Sequence, residues 1–286
     1  MTEPAFHLFQ PEICSTSAVF ASPHSGRNYG WSFLRRSALD EVTIRSSEDA
    51  FVDILFDAAP ACGAPLLAAS APRAFLDLNR SADELDPALI EGVSKPAHNP
   101  RVSSGLGVIP RVVANGRVIH RGKIPLREAQ ARIRDYWRPY HDQLQTLLHQ
   151  AHTQFGEAIL VDCHSMPHEA LDAVVHPHGI RPEIVLGDRF GAAASSDIVD
   201  RIEATFVDAG LAVVRNAPFA GAYTTQHYGR PSRGQHVVQI EVDRSLYMDE
   251  ASVRPNANFR AFKDLIDRVV ADIAHIGRSD LSLAAE

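Results

Sequence analysis

Two apolar runs in this chain each deliver a histidine followed by a serine: Ala18-Val19-Phe20-Ala21-Ser22-Pro23-His24-Ser25-Gly26 and Ile159-Leu160-Val161-Asp162-Cys163-His164-Ser165-Met166-Pro167. A catalytic zinc takes three protein ligands, commonly two histidines and a carboxylate, and keeps its fourth position for water. His24 and His164 would supply the histidines, and Ser46-Ser47-Glu48-Asp49 offers two carboxylates, Glu48 and Asp49, at the start of a candidate helix. Acids at a helix start also complement its dipole. With 14 histidines in the chain, the matching pair does not by itself separate a metal centre from two hydrogen-bonded loop residues.

Gln239-Ile240-Glu241-Val242 sets a glutamate in an otherwise branched apolar run. Buried there, its pKa should rise, which suits a general base beside activated water. Arg73 and Arg80 bracket Ala74-Phe75-Leu76-Asp77-Leu78-Asn79, and arginine is the natural bidentate partner of a carboxylate, whether a substrate's or that of Asp77. His168, His176 and His178 are expected in a loop at the mouth of the site. Gly105-Leu106-Gly107 is too short to mark a nucleotide site and reads as a flexible loop.

The elements that must position these groups are short apolar strands at 17–22, 65–70, 74–78, 158–163, 183–187, 211–215 and 236–242, of the kind covered on both faces. Helical spacing is expected over 48–62, ending at Gly63, and over 126–154, kinked at Pro139. Further helices are expected from an N-cap at Ser196 to Gly210 and over 256–276. This alternation predicts an α/β three-layer sandwich with a mixed, mostly parallel central sheet in one domain spanning 1–286. The two histidine turns would meet at the C-terminal edge of that sheet, where open α/β folds bind ligands. Residues 81–124, with a hairpin on Asn115-Gly116, form a long excursion expected to act as a functional loop or lid.

At 286 residues and 45% hydrophobic content, the chain can bury a large core. A net charge of −7 and a pI near 6.0 disfavour broad nucleic-acid binding, which needs cations to neutralise phosphates. An anionic substrate would therefore need a local arginine cluster. Cys14, Cys62 and Cys163 form neither a disulfide framework nor a CxxC site. With no signal peptide or membrane-length apolar run, a cytoplasmic protein is expected.

Taken in order, Ser22-Pro23-His24-Ser25-Gly26, Asp49 before Leu55-Phe56-Asp57, Arg73 with Asp77-Leu78-Asn79-Arg80, Trp137-Arg138-Pro139-Tyr140-His141, Asp162-Cys163-His164-Ser165, Gly221-Ala222-Tyr223-Thr224-Thr225-Gln226-His227-Tyr228-Gly229-Arg230-Pro231 and Gln239-Ile240-Glu241 form a set. That set resembles the N-formylglutamate amidohydrolases, relatives of the zinc carboxypeptidases and aspartoacylases. The resemblance implies a carboxypeptidase-like fold and one zinc per chain on His24, Asp49 and His164, with Asp49 preferred over Glu48 by its distance from Leu55-Phe56-Asp57. It implies Glu241 as the catalytic glutamate and Asn79-Arg80 as the grip on a substrate carboxylate. One departure is that Arg27, which has no lone pair to offer, stands where carboxypeptidases draw a second ligand from a His-x-x-Glu turn.

The implied reaction is hydrolysis of a small anionic N-acyl amino acid, N-formyl-L-glutamate above all, within histidine breakdown. Arg73 would stabilise the oxyanion. Thr224, His227, Tyr228 and Arg230 lie in a Gly-bounded loop expected to face substrate, with Arg230 or Arg215 on the side-chain carboxylate. A different acyl group, a C-terminal peptide substrate and a non-catalytic binding protein on the same fold are the rivals. A serine hydrolase built on Ser25 or Ser165 ranks below them, because neither sits in a G-x-S-x-G elbow.

Overall fold

Apolar residues fill the central strands because both faces of the sheet are covered there. The computed structural model describes residues 4–94, 99–172, 174 and 179–278. Seven strands form one sheet: β1 (Phe6–Phe9), β2 (Ala18–Ser22), β3 (Leu66–Ala69), β4 (Ala158–Met166), β5 (Ile184–Gly187), β6 (Val213–Arg215) and β7 (Gln235–Asp243). Their spatial order is β1-β3-β2-β4-β7-β5-β6. The central β3, β2, β4 and β7 run parallel, while β1 pairs antiparallel with β3 and β5 antiparallel with β7.

Alternation along the strands divides the core in two. Phe20, Val161 and Ile240 face helices α2 (Ser196–Asp208) and α4 (Phe259–Ile276), meeting Ile202, Phe206, Ile266 and Val269. Val19, Leu67, Leu160 and Val237 face the other way, onto Tyr140, Leu144 and Leu148 of α1 (Arg138–Phe155). The product is the expected three-layer α/β arrangement with a mixed, mostly parallel sheet.

Several local expectations change. Residues 74–78 are a chain of turns, with the Phe75 and Leu76 amides donating to Pro72 O and the Asp77 amide to Val108 O. Their apolar run reflects burial of Leu76 and Leu78 beneath the excursion, not a ladder. The helix expected over 48–62 shrinks to Val52–Leu55 and a 3-10 turn at Pro60–Cys62, since Phe51 takes a left-handed φ of 67° and Pro60 cannot continue a helix. The longest helix is interrupted, as Pro139 requires, by a π-helical turn over Ile133–Trp137. Ser195, not Ser196, is the N-cap of α2.

His164 lies inside β4 and not in a turn, because β4 and β7 keep register from Ala158↔Gln235 to Met166↔Asp243. Within the excursion, Val112 and Val118 bridge antiparallel around Asn115, whose φ of 58° is tolerated by asparagine.

Candidate active site

β2 and β4 are parallel neighbours, so His24, just past the end of β2, and His164, inside β4, reach the same edge of the sheet. Their rings meet edge to face with centroids 4.7 Å apart. Asp49 joins them because its amide donates to the carbonyl of His24 at 3.0 Å, stapling its turn to the one after β2. Its Oδ2 stands 2.9 Å from His164 Nδ1 and 3.4 Å from His24 Nδ1, and all three residues are buried.

This donor set fits a metal ion. One ligand atom from each residue lies within 4.8 Å of the others. Two atoms bound about 2.0–2.1 Å from a tetrahedral zinc stand roughly 3.4 Å apart, close to the separations found. His24 Nδ1 is buried with no hydrogen-bond partner, which is costly unless a cation or donor takes its lone pair. On the outward side, His24 Nε2 lies 2.7 Å from Asp77 Oδ1, His164 Nε2 lies 3.2 Å from both Asn79 Nδ2 and Asp162 Oδ2, and Arg244 Nη2 donates to Asp49 Oδ1 at 2.9 Å. Carboxylates behind imidazoles fix ring orientation and raise ligand basicity.

The charges follow. Burial works against the ionised form of Asp49, but His164 and His24 outweigh it and hold its pKa well below the usual range. Burial likewise opposes a charged His164, yet Asp162, Asp49 and Glu241 hold its pKa well above that of a free imidazole. A proton on His164 thus stands in for part of the positive charge that a metal would bring. Glu48 turns elsewhere, accepting from Arg45 at 2.8 and 2.9 Å and from Tyr29 at 2.9 Å, so it is not part of the cluster.

A cavity of about 540 Å³ opens onto this cluster. Glu241 lines it from β7, opposite His164, and accepts from Gln239 Nε2 at 2.9 Å. Burial pushes its pKa up to about 7, against the pull of His164. Arg73 lines it too, with Nε donating to Asp77 Oδ2 at 3.1 Å. Asn79 and Arg80 complete that wall, Arg80 anchored by bonds to the carbonyls of Leu106 and Asn79. The tip of the excursion, Ala114 to Gly116, forms part of the cover.

The loop after Gly221 departs from expectation. It folds into a short helix, α3 (Tyr223–Tyr228), none of whose residues lines the cavity. Thr224 is buried behind the wall, its amide donating to Asn79 Oδ1 at 2.8 Å. Tyr228 binds His141 Nδ1 at 2.8 Å, exposed His227 stacks on Tyr223, and Arg230 caps the carbonyls of Gln226 and Gly229. Arg215 pairs with Asp200 and Glu203. None of His227, Tyr228, Arg230 and Arg215 lines the cavity. His168 pairs with Asp243 beside a neighbouring cleft, and His176 and His178 lie outside the described residues.

Sequence reasoning missed two cations of the cavity wall, Arg101 and Arg244. Arg244 follows the C-terminal end of β7, the edge where ligands bind, and that position was its signal. Arg101 sits in the excursion, where nothing in the local pattern distinguishes it.

Residues 16–248 match the family model described as N-formylglutamate amidohydrolase. An N-formylglutamate deformylase of Pseudomonas aeruginosa is 31% identical over 254 residues, covering 87% of this chain and 86% of its own. The N-formylglutamate deformylase of Pseudomonas putida is 30% identical, with 81% and 82% covered. The crystal structure of an N-formylglutamate amidohydrolase from Ralstonia eutropha JMP134 superimposes with a TM-score of 0.88 at 33% identity, over 96% of this chain and 98% of that one. A gene product of Agrobacterium tumefaciens, 16% identical, shares the fold with a TM-score of 0.65 over 96% of each chain.

Proposed function

The chain belongs to the N-formylglutamate amidohydrolase family, and from that premise we propose how its cavity hydrolyses the formyl amide of N-formyl-L-glutamate to formate and glutamate. The metal in this reading is zinc, held by His24, Asp49 and His164. The convergence of these three donors beside the arginine-walled cavity that His24, His164 and Glu241 line is the observation that carries it. Two imidazoles and a carboxylate suit zinc better than magnesium or calcium, which prefer oxygen ligands throughout. When bound, zinc supplies Lewis acidity, acidifying water and polarising the formyl carbonyl.

Glu241 takes the proton from the attacking water, and a pKa near 7 matches that task at neutral pH. The same carboxyl then returns the proton to the nitrogen, which leaves poorly as an amide anion. Gln239 holds one Glu241 oxygen and so aims the other. Arg73 stabilises the oxyanion, its charge reinforced by Asp77, Asp49 and Glu241 against the cost of burial.

Arg80, positioned by its two carbonyl bonds and seated beside Asn79, takes one substrate carboxylate. Arg101 takes the other, in place of Arg230 or Arg215. Thr224 supports this wall through Asn79. Among the described residues no helix is long and apolar enough to cross a membrane. In this reading the enzyme serves amino-acid catabolism, histidine degradation, in the reducing cytoplasm, where Cys14, Cys62 and Cys163 stay as free thiols.

The test is metal analysis of the purified protein with an N-formyl-L-glutamate assay before chelation, after it, and after zinc is restored. Stoichiometric zinc and turnover lost and regained with it are expected. Full turnover from metal-free protein would overturn the reading.

A further inference from the structure

Basic residues in this chain of net charge −7 gather in a second cavity, apart from the catalytic one. It measures about 430 Å³ and is walled by Arg35, Arg36, His120, Arg121, Lys123 and Arg132, with Glu128 as its one acid. Glu128 is already committed: it accepts both terminal nitrogens of Arg36 and one from Arg132. Arg35, Arg121 and Lys123 have no carboxylate partner among the described residues, while burial lowers the pKa of His120 to about 4 and keeps it neutral. Arg35 lies over the Trp31 ring, 4.5 Å from its centroid. Arg121 spends only its Nε, on the carbonyl of Ser37 at 3.1 Å, and Lys123 donates to Pro87 O at 2.9 Å.

Two side-chain atoms behind the wall are buried without a partner. Arg132, 3% exposed, leaves its Nε unmatched, and so does His120 at Nε2. Arg132 is already held by Glu128, the Phe75 carbonyl and the Phe75 ring face, 4.0 Å from its centroid, so the donors left for a ligand are those of Arg35, Arg121 and Lys123. A wall of cations with free guanidinium and ammonium donors selects an oxyanion.

We propose that this cavity is a second binding site, for a small dianion of the phosphate or dicarboxylate kind. Its place in the fold gives it a route to the catalytic site. Val112 and Val118 bridge the hairpin whose tip, Ala114 to Gly116, covers the catalytic cavity, and the chain leaving that hairpin carries His120, Arg121 and Lys123. Arg132 donates from Nη1 to the carbonyl of Phe75 at 2.9 Å, two residues from Arg73 and Asp77. An anion bound by Arg121 and Lys123 therefore sits at the root of the cover, and Arg132 beside it joins the turn that carries Asp77, the partner of His24.

The experiment titrates inorganic phosphate, and separately succinate, into the intact protein at constant ionic strength, followed by calorimetry and thermal melting. Saturable binding and a raised Tm are expected with at least one of the two, and the stronger identifies the ligand class. The double variant R121Q/K123Q, altered only at exposed positions, should weaken binding at least tenfold with turnover of N-formyl-L-glutamate in the absence of phosphate and succinate unchanged; Arg35→Gln gives an independent second reading. An R101Q variant, which alters the catalytic cavity, should bind like the parent. Absence of saturable binding, or binding abolished by R101Q and untouched by R121Q/K123Q, overturns the proposal. These readings do not depend on the zinc mechanism.

Discussion

His164 and Glu241 sit opposite each other in the parallel ladder between β4 and β7. Their separation is therefore set by backbone pairing at the usual strand spacing of about 4.8 Å and not by a loop. A ligand and a proton carrier on adjacent, fully buried strands are held within the tolerance that catalysis needs.

Glu241→Gln preserves shape and removes the base. Turnover should fall by about 10²–10⁴, the usual contribution of a positioned general base. Zinc content and melting behaviour should match the parent. Retention of more than a tenth of the activity would show that another group moves the proton.

The same residue sets the acid limb of the pH profile. Glu241 works only when deprotonated, so kcat/KM should fall as pH drops through its pKa. Burial places that value at about 7 in the metal-free chain, and a bound dication beside it would lower it. The limb should have its midpoint at or below about 7 and be absent from the residual activity of Glu241→Gln.

How much of this was legible in the sequence depends on whether a feature is local. His24, His164 and Glu241 each follow or interrupt an apolar run, so the arrival of the two histidines at one sheet edge was legible from pattern, while a metal role for them and a catalytic role for Glu241 came only with the family resemblance. Asp49 was legible only as one of two neighbouring acids, because Arg45 and Tyr29 divert Glu48 through contacts that pattern does not reveal. The strand expected at 74–78 failed because burial under a loop and burial in a sheet give the same apolar run. His227, Tyr228 and Arg230 failed for a related reason: chemistry-bearing residues in a Gly-bounded segment look substrate-facing until the segment coils into α3 and turns them away. Arg101 depends on how the excursion folds back, which no periodicity encodes.

That geometry separates arginines that should matter from those that should not. Arg80→Gln and Arg101→Gln each remove a charge from the cavity wall. A charge-assisted hydrogen bond contributes about 1.5–3 kcal/mol, so each should lower kcat/KM for N-formyl-L-glutamate by about 10- to 150-fold, mostly through KM. Arg230→Gln and His227→Ala, off the cavity, should change it by less than about twofold, since surface substitutions remote from special features are nearly neutral. Steady-state kinetics on the four variants decides between the loop and the wall as the carboxylate site.

Metal-free protein should show an unusual stability profile. A raised folded pKa, as for His164, contributes stability that is fully present below the unfolded value of about 6.5 and is lost as pH rises through the folded value. Glu241, raised to about 7, acts in the same direction. Asp49 and Asp77 are lowered, so their contribution is present above an unfolded value of about 3.9 and is lost as pH falls through their folded values. The metal-free Tm should therefore peak at about pH 4, above the unfolded Asp value and below the unfolded Glu value of about 4.3, and decline from there through neutral to alkaline pH. Zinc should reverse that alkaline decline, because it binds neutral imidazoles and gains affinity as they deprotonate. Melting curves with and without chelator across this range provide the check; an unchanged alkaline slope would argue against a metal at His164.

Asp77→Asn tests the outer support of the site. Asp77 Oδ1 holds His24 Nε2 at 2.7 Å and accepts the Asn79 amide at 2.8 Å, while Oδ2 takes Arg73. Burial disfavours its charge, but His24, Arg73 and Arg80 keep it ionised. Asparagine can still accept from the Asn79 amide, so the turn should persist, but it cannot offer the full negative charge that makes His24 a strong ligand. Loss of such an outer carboxylate typically costs 10- to 100-fold in metal affinity. Zinc competition against a chromophoric chelator should show that loss in Asp77→Asn and none in Glu241→Gln, which touches no ligand. Equal affinities in the two variants would mean that Asp77 serves the turn and not the metal.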